Sequence, residues 1–294
     1  MYAPLKNIHI LDFSRLLPGP FCSHLLSELG AKVTVVEAPF LEKILEFPNL
    51  QKNKKQISLN LKEKKSFQKI EKLIQKSEVL LEGFRPGVMQ RLGLSFDRVQ
   101  KINPEILYCS ISGYGSEPGQ KEEARAGHDL NFLAESGFLS DLYLNKDPQV
   151  PGLPLGDLIA GQQAAFQIVS ALHEVKSKKK ALHLNLSIYE SVQKFLHPFE
   201  GVKQAVAPLF SEGLARYQVY KTADKKFLVV AALEEKFWQA LIQHLKIPQQ
   251  LLDSGESAIK NHLKKLFLLH PLAFWLKELA HPDFCVSEVK KYPS

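Results

Sequence analysis

From residue 7 onward, short β-branched runs alternate with longer stretches of helical period, and that alternation restricts the chain to an α/β domain with a mostly parallel sheet. Ile8-His9-Ile10-Leu11-Asp12 reads as a strand, residues 21–29 as a helix stopped by Gly30, and Lys32-Val33-Thr34-Val35-Val36-Glu37 as the next strand. Pro18-Gly19-Pro20 punctuates the chain before that helix. Residues 64–76 then place Phe67, Ile70, Leu73 and Ile74 on one helical face, and Val79-Leu80-Leu81-Glu82 follows as a strand. Ser95 is positioned to cap a helix through Ile102, and Ile106 to Ser112 forms a further strand entering the Gly113-Tyr114-Gly115 turn. The polar stretch from Gly115 to Gly127 is expected as a loop. It is followed by a helix over 129–135, a loop over 151–156, a long helix from Asp157 to Val175 and a last strand over 182–187.

Past about residue 200 the texture changes. Residues 217–222 and 227–232 alternate as a hairpin around Ala223-Asp224-Lys225-Lys226, and helical patterns cover 234–245 and 271–279. The expected organisation is a large α/β domain over 1–200, a linker over 201–216 and a smaller α+β domain over 217–294.

Composition narrows the function. A chain of 294 residues, 45% hydrophobic and 23% charged, has the makings of a globular core and excludes collagen, coiled coil and wholesale disorder. No apolar run approaches the roughly 20 residues that span a bilayer, and residues 1–6 lack the features of a secretory signal. A cytoplasmic protein with no membrane partner is expected. Cys22, Cys109 and Cys285 are too widely spaced for a disulfide framework or a metal site, so reduced thiols and no bound metal are expected. The net charge of +7 favours anionic partners. The basic run Lys176-Ser177-Lys178-Lys179-Lys180, between a helix and a strand, reads as a solvated loop, and no nucleic-acid partner is expected.

Three places carry candidate chemistry. Gly83-Phe84-Arg85-Pro86-Gly87 follows a strand, where open α/β sheets bind ligands. Arg85 there, with Arg91 on the next helical turn, can fork onto phosphate oxygens or simply cap carbonyls. Lys52, Lys54 and Lys55, ahead of another strand, either add to such an anion site or stay solvated. Gly127-His128-Asp129 and Gly156-Asp157 each set a titratable residue after a glycine at an expected helix start. A general acid or base is well supported there, although an ordinary N-cap explains the aspartates too. No G-x-G-x-x-G, P-loop or G-x-S-x-G is present.

Taken together, ILDFSRLLPGPFCSHLLSELGAKVTVVEAP, EGFRPGVMQRLGLSFDRVQKINPEILYCSISGYG, AGHDLNFLAESG, PLGDLIAG and YKTADKKFLVVAALEEKFW resemble the family III CoA-transferase and α-methylacyl-CoA racemase superfamily, in order and over most of the chain. The resemblance implies a Rossmann-like large domain, a smaller domain, an interlocked homodimer and an acyl-CoA substrate, with no prosthetic group. It also implies catalytic roles for His128 and Asp157, support of the histidine by Glu234, and phosphate contacts for Arg85, Arg91, Lys52 and Lys54. AGHDLNFLAESG is similar to the racemase version, which implies epimerisation of a 2-methylacyl-CoA. The alternatives are a transferase using Asp157 as covalent nucleophile and a shortened CoA-binding paralogue without activity. The chain departs from the family at Ala38, often basic, and at Phe132, tyrosine in many racemases. It stops about where the family would return to the large domain, so that return segment is expected to be absent.

Overall fold

Successive residues of the first strands go to opposite faces of one sheet, as a period of two requires. Ile10, Leu81 and Leu107 enter one buried cluster, and their neighbours Leu11, Leu80 and Tyr108 enter another. Both faces are therefore covered, the condition under which parallel sheets are found. The computed structural model describes residues 2–37, 39, 47–61, 63–115, 125–143, 147–210 and 213–291. Ala38 and most of the expected Gly115–Gly127 loop lie outside the described residues.

The chain divides into two compact units, Met1–Leu142 with Asp147–Pro198, and Tyr143–Lys146 with Phe199–Ser294. In the first, the elements are β1 (His9–Asp12), α1 (Pro18–Glu28), β2 (Lys32–Glu37), β3 (Lys55–Ser58), α2 (Lys64–Ile74), β4 (Val79–Glu82), α3 (Val88–Arg91), α4 (Phe96–Ile102), β5 (Leu107–Ser112), α5 (Asp129–Glu135), α6 (Phe138–Leu142), α7 (Leu155–Lys178), β6 (Leu182–Ser187) and α8 (Ile188–Leu196). The six strands are all parallel, in the order β3-β2-β1-β4-β5-β6. That order reverses direction between β1 and β4, so their carboxyl ends form the switch point of a Rossmann-like sheet.

Two helix starts differ from expectation. Pro18-Gly19-Pro20 is the first turn of α1 itself, because a proline's fixed φ and missing N–H suit the first helical positions. α7 begins at Leu155 with Pro154 as its cap, which makes Asp157 the third residue of the helix and not its cap. α7 buries Ala160, Gly161, Ala164 and Ala165, small residues that let α1 approach closely. A Cβ on Gly161 would stand 2.6 Å from the Pro18 carbonyl oxygen.

The second unit holds α9 (Lys203–Phe210), β7 (Tyr217–Lys221), β8 (Phe227–Ala231), α10 (Glu235–His244), α11 (Gln249–Leu252), α12 (Glu256–Phe267), α13 (Leu272–Glu278) and β9 (Val286–Glu288). Its three strands pair antiparallel in the order β7-β8-β9. Leu228 and Val230 of β8 pack with Trp238, Leu241, Phe267 and Trp275 of the helices. Of the stretch 201–216 expected as a linker, residues 203–210 are α9, and 211 and 212 lie outside the described residues. No described helix is long and apolar enough to cross a membrane.

Candidate active site

At the switch point the strand-end carboxylates are consumed by their own loops. Asp12, 1% exposed, accepts from the Ser14 N–H at 2.8 Å and Oγ at 2.5 Å, and from Ser23 Oγ at 2.5 Å. Lys54 Nζ donates to Ser23 Oγ and to the Pro20 carbonyl, both at 2.8 Å. Burial pulls its pKa down, against the opposing charge of Asp12. Glu82 accepts from the Phe84 N–H at 2.8 Å and is held above the usual carboxylate range by burial.

The expected phosphate-binding cations therefore divide. Arg85, Arg91 and Lys52 are exposed. Arg91 folds back over the loop, its Nη1 lying 3.3 Å from where a Cβ on Gly87 would stand, and Gly87 has a φ of +79° that favours glycine. Lys54, by contrast, ties β3 to the head of α1. Arg15 joins the group without having been singled out in the sequence: its guanidinium lies 5.1 Å from the centre of the Phe84 ring, linking the loops after β1 and β4. The signal was its place three residues past a strand end.

The two glycine-plus-titratable motifs meet through Asp129. His128 is the N-cap position of α5 and is exposed, with its N–H donating to Asn131 Oδ1 at 3.1 Å. Asp129, next in the chain, does not cap its own helix. It reaches the head of α7, where its Oδ1 accepts from the Asp157 N–H at 2.9 Å, and the Gly156 N–H also favours its charge. Burial, followed by the Asp129 charge, pushes the Asp157 carboxyl up to about 7. Asp129 is itself raised by burial, against those two N–H groups. The N–H groups of Gly156 and Asp157 at the head of α7 are thus engaged by a carboxylate.

Phe132 packs this corner. It is 2% exposed and meets Tyr114 edge to face at 5.0 Å. A Cβ on Gly113 or Gly127 would stand 2.7 or 2.8 Å from its ring, so glycine on both sides lets the ring close over the end of β5 and the start of α5. Tyr114 Oη donates to Glu135 at 2.9 Å, and Arg125 pairs with the same carboxylate.

In the second unit, Glu234 is the exposed N-cap position of α10, and its carbonyl accepts from the Phe237 N–H at 3.0 Å and the Trp238 N–H at 3.1 Å.

An imidazole and a protonatable carboxyl on adjoining helix starts, with exposed guanidinium groups at the sheet's switch point, suit proton transfer on a substrate that carries phosphate. Among the described residues no group of three or more His, Cys, Asp or Glu is placed to hold a metal ion.

The chain is 30% identical to human alpha-methylacyl-CoA racemase over 97% of its own length and 77% of that protein's. It is 28% identical to acetyl-CoA:oxalate CoA-transferase of Acetobacter aceti, covering 93% of this chain and 77% of that one. The fold superposes on the crystal structure of a CaiB/BaiF family protein from Brucella suis with a TM-score of 0.78, at 22% identity over 99% of this chain and 85% of that one. With the model of CoA-transferase family III matching residues 5–294, the chain belongs to that family, whose members are racemases or CoA-transferases.

Proposed function

We propose that the protein epimerises 2-methylacyl-CoA thioesters, with His128 and Asp157 as the two acid/base groups. The observation that carries the reading is the bond from the Asp157 N–H to Asp129, which sets Asp157 beside the residue that follows His128. Inversion needs one group to take the α proton from one face and another to return a proton to the opposite face, with an enolate between. For one epimer His128 takes the proton while protonated Asp157 supplies the other; the opposite epimer reverses the roles. A carboxyl held at about 7 exists in both forms near neutrality, which suits that alternation better than it suits a nucleophile that must stay ionised. Arg85, Arg91 and Lys52 take the phosphates of CoA in this reading. Glu234 and a homodimeric assembly enter it through the family resemblance alone.

A second reading, acyl transfer through a mixed anhydride on Asp157, is favoured by the transferase names among the relatives. Incubation of a single epimer in D₂O separates the two. Epimerisation places one deuterium on the α carbon and inverts it. Transfer leaves the α proton untouched, and unlabelled α carbon in a preparation that binds CoA would sink the epimerase reading.

A further inference from the structure

We propose that Asp129 is the positioning residue of this site: its carboxylate, docked on the backbone N–H groups at the head of α7, fixes where the Asp157 carboxyl stands. The inference rests on the reading above that Asp157 carries a proton in the reaction. Its structural basis is the 2.9 Å bond from the Asp157 N–H to Asp129 Oδ1, which joins residues 28 positions apart.

A second observation is the residue beneath that bond. Gly156 is the second residue of α7, in the turn that the carboxylate meets. A Cβ there would stand 3.0 Å from Asp129 Oδ1, 3.4 Å from Val192 Cγ2 and 3.5 Å from Leu133 Cδ2. Glycine leaves room at the point where the carboxylate lands.

Asp129 is the first residue of α5, with His128 in the cap position ahead of it, so its side chain is not the cap of its own helix. One residue of α5 thus holds the head of α7 while its chain neighbour is His128. Other charged groups on the elements packed against α7 have partners of their own: His24 with Glu28 on α1 at 3.5 Å, Glu190 with Lys194 on α8 at 3.8 Å, and Glu135 of α5 with Arg125. Burial keeps the Cys109 thiol of β5 neutral. The Asp129 charge is accordingly the one that adds to burial in favouring the protonated form of Asp157.

The test separates position from charge. Asp129→Asn keeps an oxygen acceptor but removes the charge, and Asp129→Ala removes both. In ¹³C-aspartate-labelled protein, with the Asp157 signal assigned by its loss in Asp157→Asn, the wild-type carboxyl should titrate near 7. In Asp129→Asn the midpoint should fall part of the way toward the ordinary carboxylate range. Deuterium exchange should drop about 10²-fold in Asp129→Ala, the size expected when a reacting group is misplaced by about 1 Å. It should recover most of that loss in Asp129→Asn. Gly156→Ala, which crowds the same carboxylate, tests the contact should Asp129→Ala not fold, and should reproduce part of the exchange loss. An Asp157 midpoint unchanged in Asp129→Asn, or exchange undiminished in a folded Asp129→Ala, overturns the proposal. The titration needs no substrate, so failure of the epimerase reading shows separately, as absence of exchange in the wild type.

Discussion

Asp129 and Asp224 do the same job in different halves of the chain, and their surroundings push them in opposite directions. Each is a carboxylate from a separate segment that accepts from a backbone N–H in the first turn of a helix: Asp129 from Asp157 of α7 at 2.9 Å, Asp224 from Leu272 of α13 at 3.0 Å. Asp224 sits in a surface turn among donors, with Thr222 Oγ1 at 2.6 Å and Lys226 Nζ at 3.5 Å. The Thr222 hydroxyl, then the Leu272 N–H, hold it below the usual carboxylate range. Asp129 is half-buried and raised, and its charge falls on a second carboxyl that is raised further. A helix cap in solvent stabilises the fold. The same cap placed against a buried acid opposes the ionisation of that acid, a cost that structure alone does not require and that proton-transfer chemistry uses.

The largest effect should fall on the reacting pair. Asp157→Asn and His128→Gln should each slow α-proton removal by about 10²–10⁴-fold, and with opposite bias between the two epimers if they work from opposite faces. Equal losses on both epimers in both variants would contradict the assignment of one face to each residue. The comparison itself breaks if Asp224→Ala behaves like Asp129→Ala. The expectation is that Asp224→Ala lowers Tm, measured by circular dichroism, and leaves exchange within about twofold, whereas Asp129→Ala loses about 10²-fold of it.

Arg85→Ala sharpens the contrast from the switch point. Losing a charge-assisted hydrogen bond should weaken CoA binding by about 1.5–3 kcal/mol in calorimetry and leave the Asp157 titration where it was. Unchanged affinity removes Arg85 from the site.

The smallest effect is on stability, and its sign differs between Asp157 and Asp224. Asp157 rises from 3.8 to about 7 on folding, so the folded state binds the extra proton and stability falls as pH rises across that window. Asp157→Asn removes this slope and should gain on the wild type above pH 7, on the order of 1–2 kcal/mol after solvent screening. Asp224, depressed on folding, contributes stability that is present above its ordinary value and is lost as pH falls through its folded value. Denaturant melts from pH 4 to 8 read the sign at Asp157, and melts carried downward from about pH 4 read the opposite sign at Asp224.

The sheet was legible because burial on two faces leaves β-branched runs such as Lys32–Glu37 with helical periods between them, and the hairpin because Tyr217–Lys221 and Phe227–Ala231 alternate about a short polar turn. α12 has a readable trace in the sequence: Ile259, Leu263 and Phe267 recur every four residues and are all buried. β9 left none, since three residues cannot show a period. In the site, the residue types at 128 and 157 pointed to acid/base chemistry, but the link between them did not, because a side chain reaching a helix head 28 residues away has no sequence signature. Lys54 shows the converse. Its charge suggested an anion site, and only the fold reveals that two of its donors are spent on Ser23 and Pro20.

The pH dependence of kcat/KM for epimerisation, measured from both epimers, tests the central claim most directly. The two reactive forms differ only in whether His128 or Asp157 holds the single proton they share, so both directions need the same total protonation. The account predicts one bell-shaped profile, superimposable in the two directions, with the ionisation of Asp157 near 7 setting one limb. Activity that climbs through that region to a flat alkaline plateau, as an ionised Asp157 acting as the only acid/base group requires, would contradict it.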